Sequence, residues 1–225
     1  MPMPNDLAMR YYLLGERAAV LESPPPASLD CQRRIWWLAQ TLAEEAGLIE
    51  VVPGMNNLTV VFDPDAGADV GAGWLERLRR EWARARRATP QPRQVTVPVR
   101  YGGRHGPDLA AVAANTGLSE REVVAAHAGA EYQVYFLGFQ PGFAYMGGLP
   151  ACLATPRRAE PRLAVPAGSV GIGGSQTGIY PAASPGGWQI IGRTALKLFD
   201  PGRDPPSLLL PGDSVSFAAQ EGEDD

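Results

Sequence analysis

The chain has 225 residues, of which 45% are hydrophobic and 20% are charged, a balance typical of an ordinary soluble globular protein. A formal net charge of -4 gives no electrostatic indication of binding to a nucleic-acid backbone, and no apolar run reaches the roughly 20 residues that span a bilayer. The two histidines and two cysteines have no recognisable zinc spacing, so no metal site is predicted. With no disulfide framework and no signal-peptide pattern, we expect a cytoplasmic protein.

The first 87 residues alternate predicted strands and helices. Residues 11–14 and 18–21 are short apolar runs on either side of a Gly-Glu-Arg turn, and they predict two strands. A helix is predicted over residues 28–46, with Gly47 as its C-cap. Two further strands, over residues 48–52 and 58–62, precede a second helix over residues 73–87. The order β-β-α-β-β-α predicts a small α+β domain, residues 1–88, with both helices on one face of the sheet.

A linker is predicted at about residues 88–93, where two prolines interrupt a stretch without periodicity. A strand over residues 94–100 and two short helices over 107–115 and 119–127 follow, with Pro107 in a first helical turn and a capping box from Ser119 to Glu122. The two helices could form a helix-turn-helix, but the second is too acidic to read a major groove.

The second half of the chain is rich in glycine. Between Gly138 and Gly192 lie 12 of the 26 glycines, interleaved with short apolar runs, which favours a β-barrel or sandwich in residues 89–225 over a wound parallel sheet. Such loops let the backbone approach a ligand closely, and arginines among them can bind a carboxylate or a phosphate. The candidate arginines are Arg157, Arg158, Arg162 and Arg193. No lysine precedes a serine in these loops, so none is a Walker A loop.

Three runs in this half are long and specific: Gly-Phe-Gln-Pro-Gly-Phe at 138–143, Gly-Gly-Ser-Gln-Thr-Gly-Ile-Tyr-Pro at 173–181, and Pro-Gly-Gly-Trp at 185–188. They resemble the family that includes the B subunit of 5-oxoprolinase, the kinase inhibitor KipI and allophanate hydrolase subunit 1. The resemblance implies an N-terminal α+β domain followed by a cyclophilin-like β-barrel.

The same resemblance implies an ATP-dependent 5-oxoprolinase that opens 5-oxo-L-proline to L-glutamate. ATP, with Mg²⁺ accompanying it, would be bound in a complex with a paired barrel subunit of the C type and a subunit of the A type. Two alternatives stay open: an inhibitor of a sensor histidine kinase, like KipI, and the carboxyltransferase or allophanate hydrolase subunit of a urea-degrading system.

Ten side chains are candidates for the site. The catalytic candidates are His127, Gln176 and Arg193; His127 could instead be a cation at a helix C-terminus, and Arg193 a solvated strand residue. The substrate-binding candidates carry hydrogen-bonding groups or aromatic rings: Gln140, Tyr145, Arg162, Ser175, Thr177, Tyr180 and Trp188. Trp188 could instead fill the end of a barrel.

Overall fold

A computed structural model of the protein describes residues 9–26, 28–67, 69–85 and 92–220. The chain divides into two compact units, residues 1–91 and 92–225. The boundary predicted at residues 88 and 89, most of the predicted linker and the acidic residues 221–225 lie outside the described residues. The predicted α+β class with a β-barrel is confirmed.

The N-terminal unit is a four-stranded antiparallel sheet covered by two helices, in the predicted order β-β-α-β-β-α. Its strands lie in the order β1-β2-β4-β3. Their bounds are β1 Arg10–Leu14, β2 Ala18–Glu22, β3 Leu48–Pro53 and β4 Asn57–Phe62, and the helices are α1 Leu29–Leu42 and α2 Val70–Arg84. Alternate residues of β4 pack with the apolar face of α1 into one core, which includes Leu58, Val60, Phe62, Ile35 and Leu38.

Both helices differ from their predicted bounds. The side chain of Ser28 caps α1 by accepting a hydrogen bond from the amide of Cys31 at 3.1 Å, but the helix ends at Leu42, four residues early. Gly47, with a φ of +88°, therefore forms the turn into β3 rather than the predicted C-cap. The helix α2 begins at Val70, three residues before its predicted start, and the last two residues of its prediction lie outside the described residues.

The C-terminal unit is a closed barrel of seven strands in the order β10-β7-β6-β13-β5-β12-β9. The strands are β5 Gln94–Tyr101, β6 Glu131–Leu137, β7 Ala144–Gly147, β9 Ser169–Gly173, β10 Gln176–Ile179, β12 Gln189–Arg193 and β13 Ser214–Ala219. Its interior is filled by fully buried side chains such as Val97, Val134, Met146, Ile172 and Val215. Two remaining strands, β8 Arg162–Val165 and β11 Ser184–Gly186, pair with each other in a separate two-stranded ribbon.

Two helices, α3 Leu109–Thr116 and α4 Glu120–Ala128, connect β5 to β6. The predicted capping box is confirmed, because the amide of Ser119 donates to Glu122 at 2.8 Å and the amide of Glu122 donates to the Ser119 hydroxyl at 3.3 Å. The prediction that Pro107 lies in a first helical turn is wrong, because α3 begins at Leu109 and Asp108 occupies its N-cap position. Within the described part of the chain, no helix has the length and apolarity to cross a membrane.

Candidate functional site

Three predicted substrate-binding residues meet in one aromatic cluster at the barrel wall. The indole of Trp188 is 5% exposed, and its centroid lies 5.5 Å from the ring of Phe143 and 5.9 Å from that of Tyr145. Tyr180 contacts Phe143 edge to face at 5.3 Å. We call Phe143, Tyr145, Tyr180 and Trp188 the aromatic cluster; edge-to-face pairs of this kind hold rings in fixed orientations.

The glycines of β9 and β10 make room for Trp188. A Cβ on Gly173 would lie 2.6 Å from the indole, and a Cβ on Gly178 would lie 3.0 Å from it. The glycine-rich run predicts a close approach of the backbone to a ligand. At these two positions it brings the backbone close to a tryptophan of the same barrel, so these glycines serve packing.

The polar candidates differ in their exposure. Gln140 is partly buried and donates from Nε2 to the carbonyl of Ala182 at 3.4 Å. Ser175 is exposed at the tip of the β9–β10 hairpin. Gln176, the next residue, is partly buried, and its Nε2 is buried without a hydrogen-bond acceptor among the described residues. Since a buried amide donor without an acceptor is unfavourable, Gln176 retains hydrogen-bonding capacity for a further group.

The ring of Trp188 and the hydroxyl of Tyr180 carry polar features of their own. The guanidinium of Arg157 lies 5.9 Å from the Trp188 ring, within the range of a cation–π contact. Burial, the largest influence, raises the pKa of the Tyr180 hydroxyl. Tyr180 is therefore a neutral hydrogen-bonding group at physiological pH.

Arg162 is held by a carboxylate that no sequence motif singled out. The Asp108 side chain is 5% exposed, and it accepts two hydrogen bonds from Arg162 at 2.7 Å and one from Arg158 at 3.1 Å. It also accepts the amide hydrogen of Ile190 at 2.7 Å. The hydrogen bond to Asp108 is the main reason that the pKa of Arg162 is raised. We call Asp108, Arg158 and Arg162 the Asp108 clamp; it ties the segment before and within β8 to β12 and to the start of α3.

His127 lies in the barrel core, fully buried, and its two ring nitrogens each have a partner. The Thr177 hydroxyl donates to the carbonyl of Gly171 at 2.9 Å, so it must accept the Nε2 hydrogen of His127 at 3.0 Å. Nδ1 then accepts the hydroxyl hydrogen of Tyr101 at 2.8 Å. This arrangement is that of a neutral ring, which full burial favours over the charged one.

Burial lowers the pKa of His127 to about 3, which agrees with this neutral form. The alternative of a cation at the end of α4 is therefore wrong. The geometry favours a structural role for His127 and Thr177, since neither side chain has solvent access. Their predicted roles in catalysis and substrate binding stay predictions.

Arg193 lies at the opposite end of β9 from Gln176. Arg193 pairs with Ser169 and Gln176 pairs with Gly173, so roughly 13 Å of strand separates them at about 3.3 Å per residue. The three predicted catalytic side chains thus occupy three different surroundings: the core, the hairpin edge and a cleft. Arg193 is exposed and donates from Nε to the carbonyl of Ala167 at 2.8 Å.

The cleft beside Arg193 has a volume of about 510 Å³ and is also lined by Arg100 and Lys197. Such cations fit the phosphates of ATP better than they fit an apolar ligand. Among the described residues, no group of three or more histidine, cysteine, aspartate or glutamate side chains could hold a metal ion.

Sequence reasoning missed three of these residues for a common reason. Asp108 falls in a predicted helical turn, and Tyr101 and Arg100 fall at or near the end of a predicted strand. Their partners are 26 to 93 residues away along the chain, as with Tyr101 and His127 or Arg100 and Arg193. No local periodicity signals such contacts, although a carboxylate at the start of a helix is a visible signal for Asp108.

Comparison with known proteins confirms the predicted resemblance. A family model described as "Carboxyltransferase domain, subdomain C and D" matches residues 9–209. The 5-oxoprolinase B subunit of Escherichia coli O157:H7 is 58% identical over 212 residues, covering 94% of this chain and 96% of that protein. The protein of the same name from Haemophilus influenzae is 48% identical over 207 residues, covering 92% of this chain and 96% of that protein.

A solved structure has the same fold. The crystal structure of TTHA0988 has a TM-score of 0.79 and 40% sequence identity to this chain. The match covers 92% of this chain and 40% of that one, so the present chain spans less than half of the solved protein.

Proposed function

The chain belongs to the family of carboxyltransferase domains, subdomain C and D, and we propose that it is the B-type subunit of an ATP-dependent 5-oxoprolinase. One observation carries the proposal: 58% identity to a 5-oxoprolinase B subunit over 96% of that protein. Identity at this level, without large unmatched regions on either side, supports a shared reaction as well as a shared fold.

The reaction proposed is the opening of the five-membered lactam of 5-oxo-L-proline to L-glutamate, with consumption of ATP and water and release of ADP and phosphate. A lactam is a stabilised amide that water attacks slowly at neutral pH. ATP supplies the free energy and a phosphoryl group that would make the amide carbon a better electrophile. The protein must then hold the reactants together and stabilise developing negative charge.

The residues of this chain suit binding and orientation. The aromatic cluster offers a rigid apolar wall. Gln176 is the register partner of Gly173, which packs against Trp188, and the buried Nε2 of Gln176 can donate to a carbonyl oxygen. The arginines Arg157 and Arg193 offer positive charge to the carboxylate or phosphate groups of the reactants. Fixed aromatic and amide groups of this kind contribute by positioning, which accelerates a reaction without themselves exchanging protons.

Partner subunits are part of the proposal. The relatives from Escherichia coli and Haemophilus influenzae are each named as one subunit of an oxoprolinase, which supports an assembly. We propose a paired barrel subunit of the C type and a subunit of the A type as its other members. Such a complex would work in the cytoplasm, where ATP is available.

Reconstitution tests the proposal. The chain is mixed with its two partner subunits, and both ADP formation and glutamate release from 5-oxoproline are followed, with each subunit omitted in turn. We expect turnover only when all three are present. Turnover that does not depend on this chain would overturn the proposal.

A second candidate function has one observation in its favour. The family model is described as a carboxyltransferase domain, which is compatible with carboxylation of urea or hydrolysis of a urea-derived amide. The same reconstituted complex, offered urea with bicarbonate and a biotin carrier, or allophanate, distinguishes the two. Consumption of urea or allophanate in place of 5-oxoproline would select this second function.

A further inference from the structure

The cleft beside Arg193 is lined by several cations and, among the residues that the structure describes, by no acidic side chain. Of the residues that line its volume of about 510 Å³, three are strong cations, Arg100, Arg193 and Lys197, and none is acidic. Gly168 and Thr194 also line it, and a Cβ on Gly168 would lie 2.1 Å from the carbonyl oxygen of Thr194. The tight backbone approach at this point fixes one wall of the cleft.

Two of the cations face each other across neighbouring strands. Arg100 of β5 is the direct register partner of Arg193 of β12. Side chains of directly opposed residues leave an antiparallel pair on the same face, with Cβ atoms about 5 Å apart, and like charges there are destabilising. A protein retains such a pair where something else is gained from it.

The charges of these two arginines are not compensated by the described part of the chain. Neither forms an ion pair with a described carboxylate, and Arg193 donates only to the backbone carbonyl of Ala167. Lys197, by contrast, is paired with Asp200 at 2.9 Å. Within residues 92–220, the cleft therefore has two positive charges without a paired carboxylate, one from each arginine, at adjacent positions.

From this arrangement we propose that the cleft binds a phosphoryl group, with Arg100 and Arg193 donating to its oxygens from two sides. A phosphoryl group carries close to two negative charges and presents several acceptor oxygens, which matches a pair of guanidinium groups. A single carboxylate would neutralise only one of the two. The volume is within the range of sites for small organic molecules, so the phosphoryl group would belong to a larger ligand.

This proposal deepens the proposed function and rests on it in one respect: the proposed reaction identifies ATP as the source of the phosphoryl group. The binding itself requires only the two arginines. A phosphoryl group on a nucleotide and one on inorganic pyrophosphate have the same chemistry, and binding measurements separate them.

Calorimetry on the full chain at low ionic strength tests the site, with pyrophosphate, ATP and 5-oxoproline as separate ligands. We expect both phosphate compounds to bind, and Arg100→Gln and Arg193→Gln each to weaken that binding at least about 10-fold, because a charge-assisted hydrogen bond is lost. Tighter binding of ATP than of pyrophosphate would identify a nucleotide as the source, and equal binding would identify the phosphoryl group alone.

Arg121→Gln is the matched control, since Arg121 is exposed on α4 and not among the residues that line the cleft. It removes the same charge and should leave the affinity unchanged. Three results would overturn the proposal. They are an equal loss of affinity in the Arg121→Gln control, no binding of either phosphate compound, and 5-oxoproline binding that depends on Arg100.

Thermal unfolding provides a second test, because the removal of Arg100 should stabilise the free chain although it weakens the binding of an anion. Without an anion, Arg100→Gln should raise the Tm, because it relieves the repulsion from Arg193. With pyrophosphate, the same variant should show a smaller rise in Tm than the original chain. A fall in Tm without anion would assign Arg100 a structural role and contradict the proposal.

Failure of this proposal and failure of the proposed function are distinguishable. A reconstituted complex that opens 5-oxoproline while the chain binds no phosphate compound refutes the cleft alone. Phosphate binding that depends on both arginines, in a chain whose complex does not open 5-oxoproline, refutes the proposed reaction alone.

Discussion

The buried His127 makes the barrel sensitive to acid in a way that can be calculated. Because its pKa falls from an ordinary 6.5 to about 3 in the fold, the unfolded chain binds a proton that the folded chain refuses at any pH between these values. The stabilisation from a neutral His127 is complete above pH 6.5 and is lost as the pH falls toward 3. The linkage between proton binding and folding predicts that the free energy of unfolding falls by about 2 kcal/mol by pH 5. The further fall approaches about 1.4 kcal/mol for each pH unit below that.

The assay must report on the barrel alone, because His127 lies in only one of the two compact units of the chain. Trp188 is the only one of the five tryptophans that lies in the C-terminal unit, so its fluorine resonance in a 5-fluorotryptophan-labelled chain follows the barrel. Urea unfolding is measured from pH 7.5 to 5 for the original chain and for His127→Gln, which cannot titrate. Carboxylates contribute equally to both chains and cancel in the difference.

We expect the free energy of unfolding of the original chain to fall by about 2 kcal/mol more than that of His127→Gln over this range. The matched control is His105→Gln, which replaces the other histidine and should retain the steeper dependence. Parallel curves for the original chain and His127→Gln would refute the hydrogen-bond arrangement described for this residue.

Three further changes test the packing of the barrel. Asp108→Asn should destabilise the barrel by about 3 kcal/mol, because two guanidinium groups lose their buried carboxylate. Thermal unfolding measures this loss, and a change below about 1 kcal/mol would show that the Asp108 clamp does not stabilise the barrel. Gly173→Ala should cost about 1–3 kcal/mol and shift the Trp188 fluorine resonance, whereas Gly187→Ala, where a Cβ finds only ordinary contacts at 3.6 Å, should do neither. Ser119→Ala should cost about 1 kcal/mol through loss of the capping box, and unchanged urea unfolding would show that the cap is dispensable.

The order of secondary structure could be predicted because it depends on neighbouring residues. Alternating apolar residues identify β4, and the Ser119 to Glu122 spacing identifies the start of α4. The predicted end of α1 is too late, since Gly47 carries the positive φ of a C-cap but serves a turn outside the helix. Glycine with a positive φ occurs both at helix C-caps and in other turns, so the local sequence does not distinguish the two.

The candidate site was predictable as a set of residue types but not as an arrangement. The sequence assigned Tyr145, Tyr180 and Trp188 to one candidate site, and the structure brings their rings into one cluster with Phe143, whereas their role in binding stays a prediction. The motifs could not show that Arg193 and Gln176 lie at opposite ends of β9, because the strand register decides which residue of β9 each one pairs with. Register depends on pairing between distant segments, which a single sequence does not encode locally.

The measurement that tests the central claim most directly is the stoichiometry of the reconstituted reaction as this chain is titrated into its two partner subunits. The proposed function predicts that glutamate and ADP appear in equal amounts and rise together until the chain saturates the complex. ADP formation without glutamate, or glutamate formation that is unaffected by this chain, would contradict it.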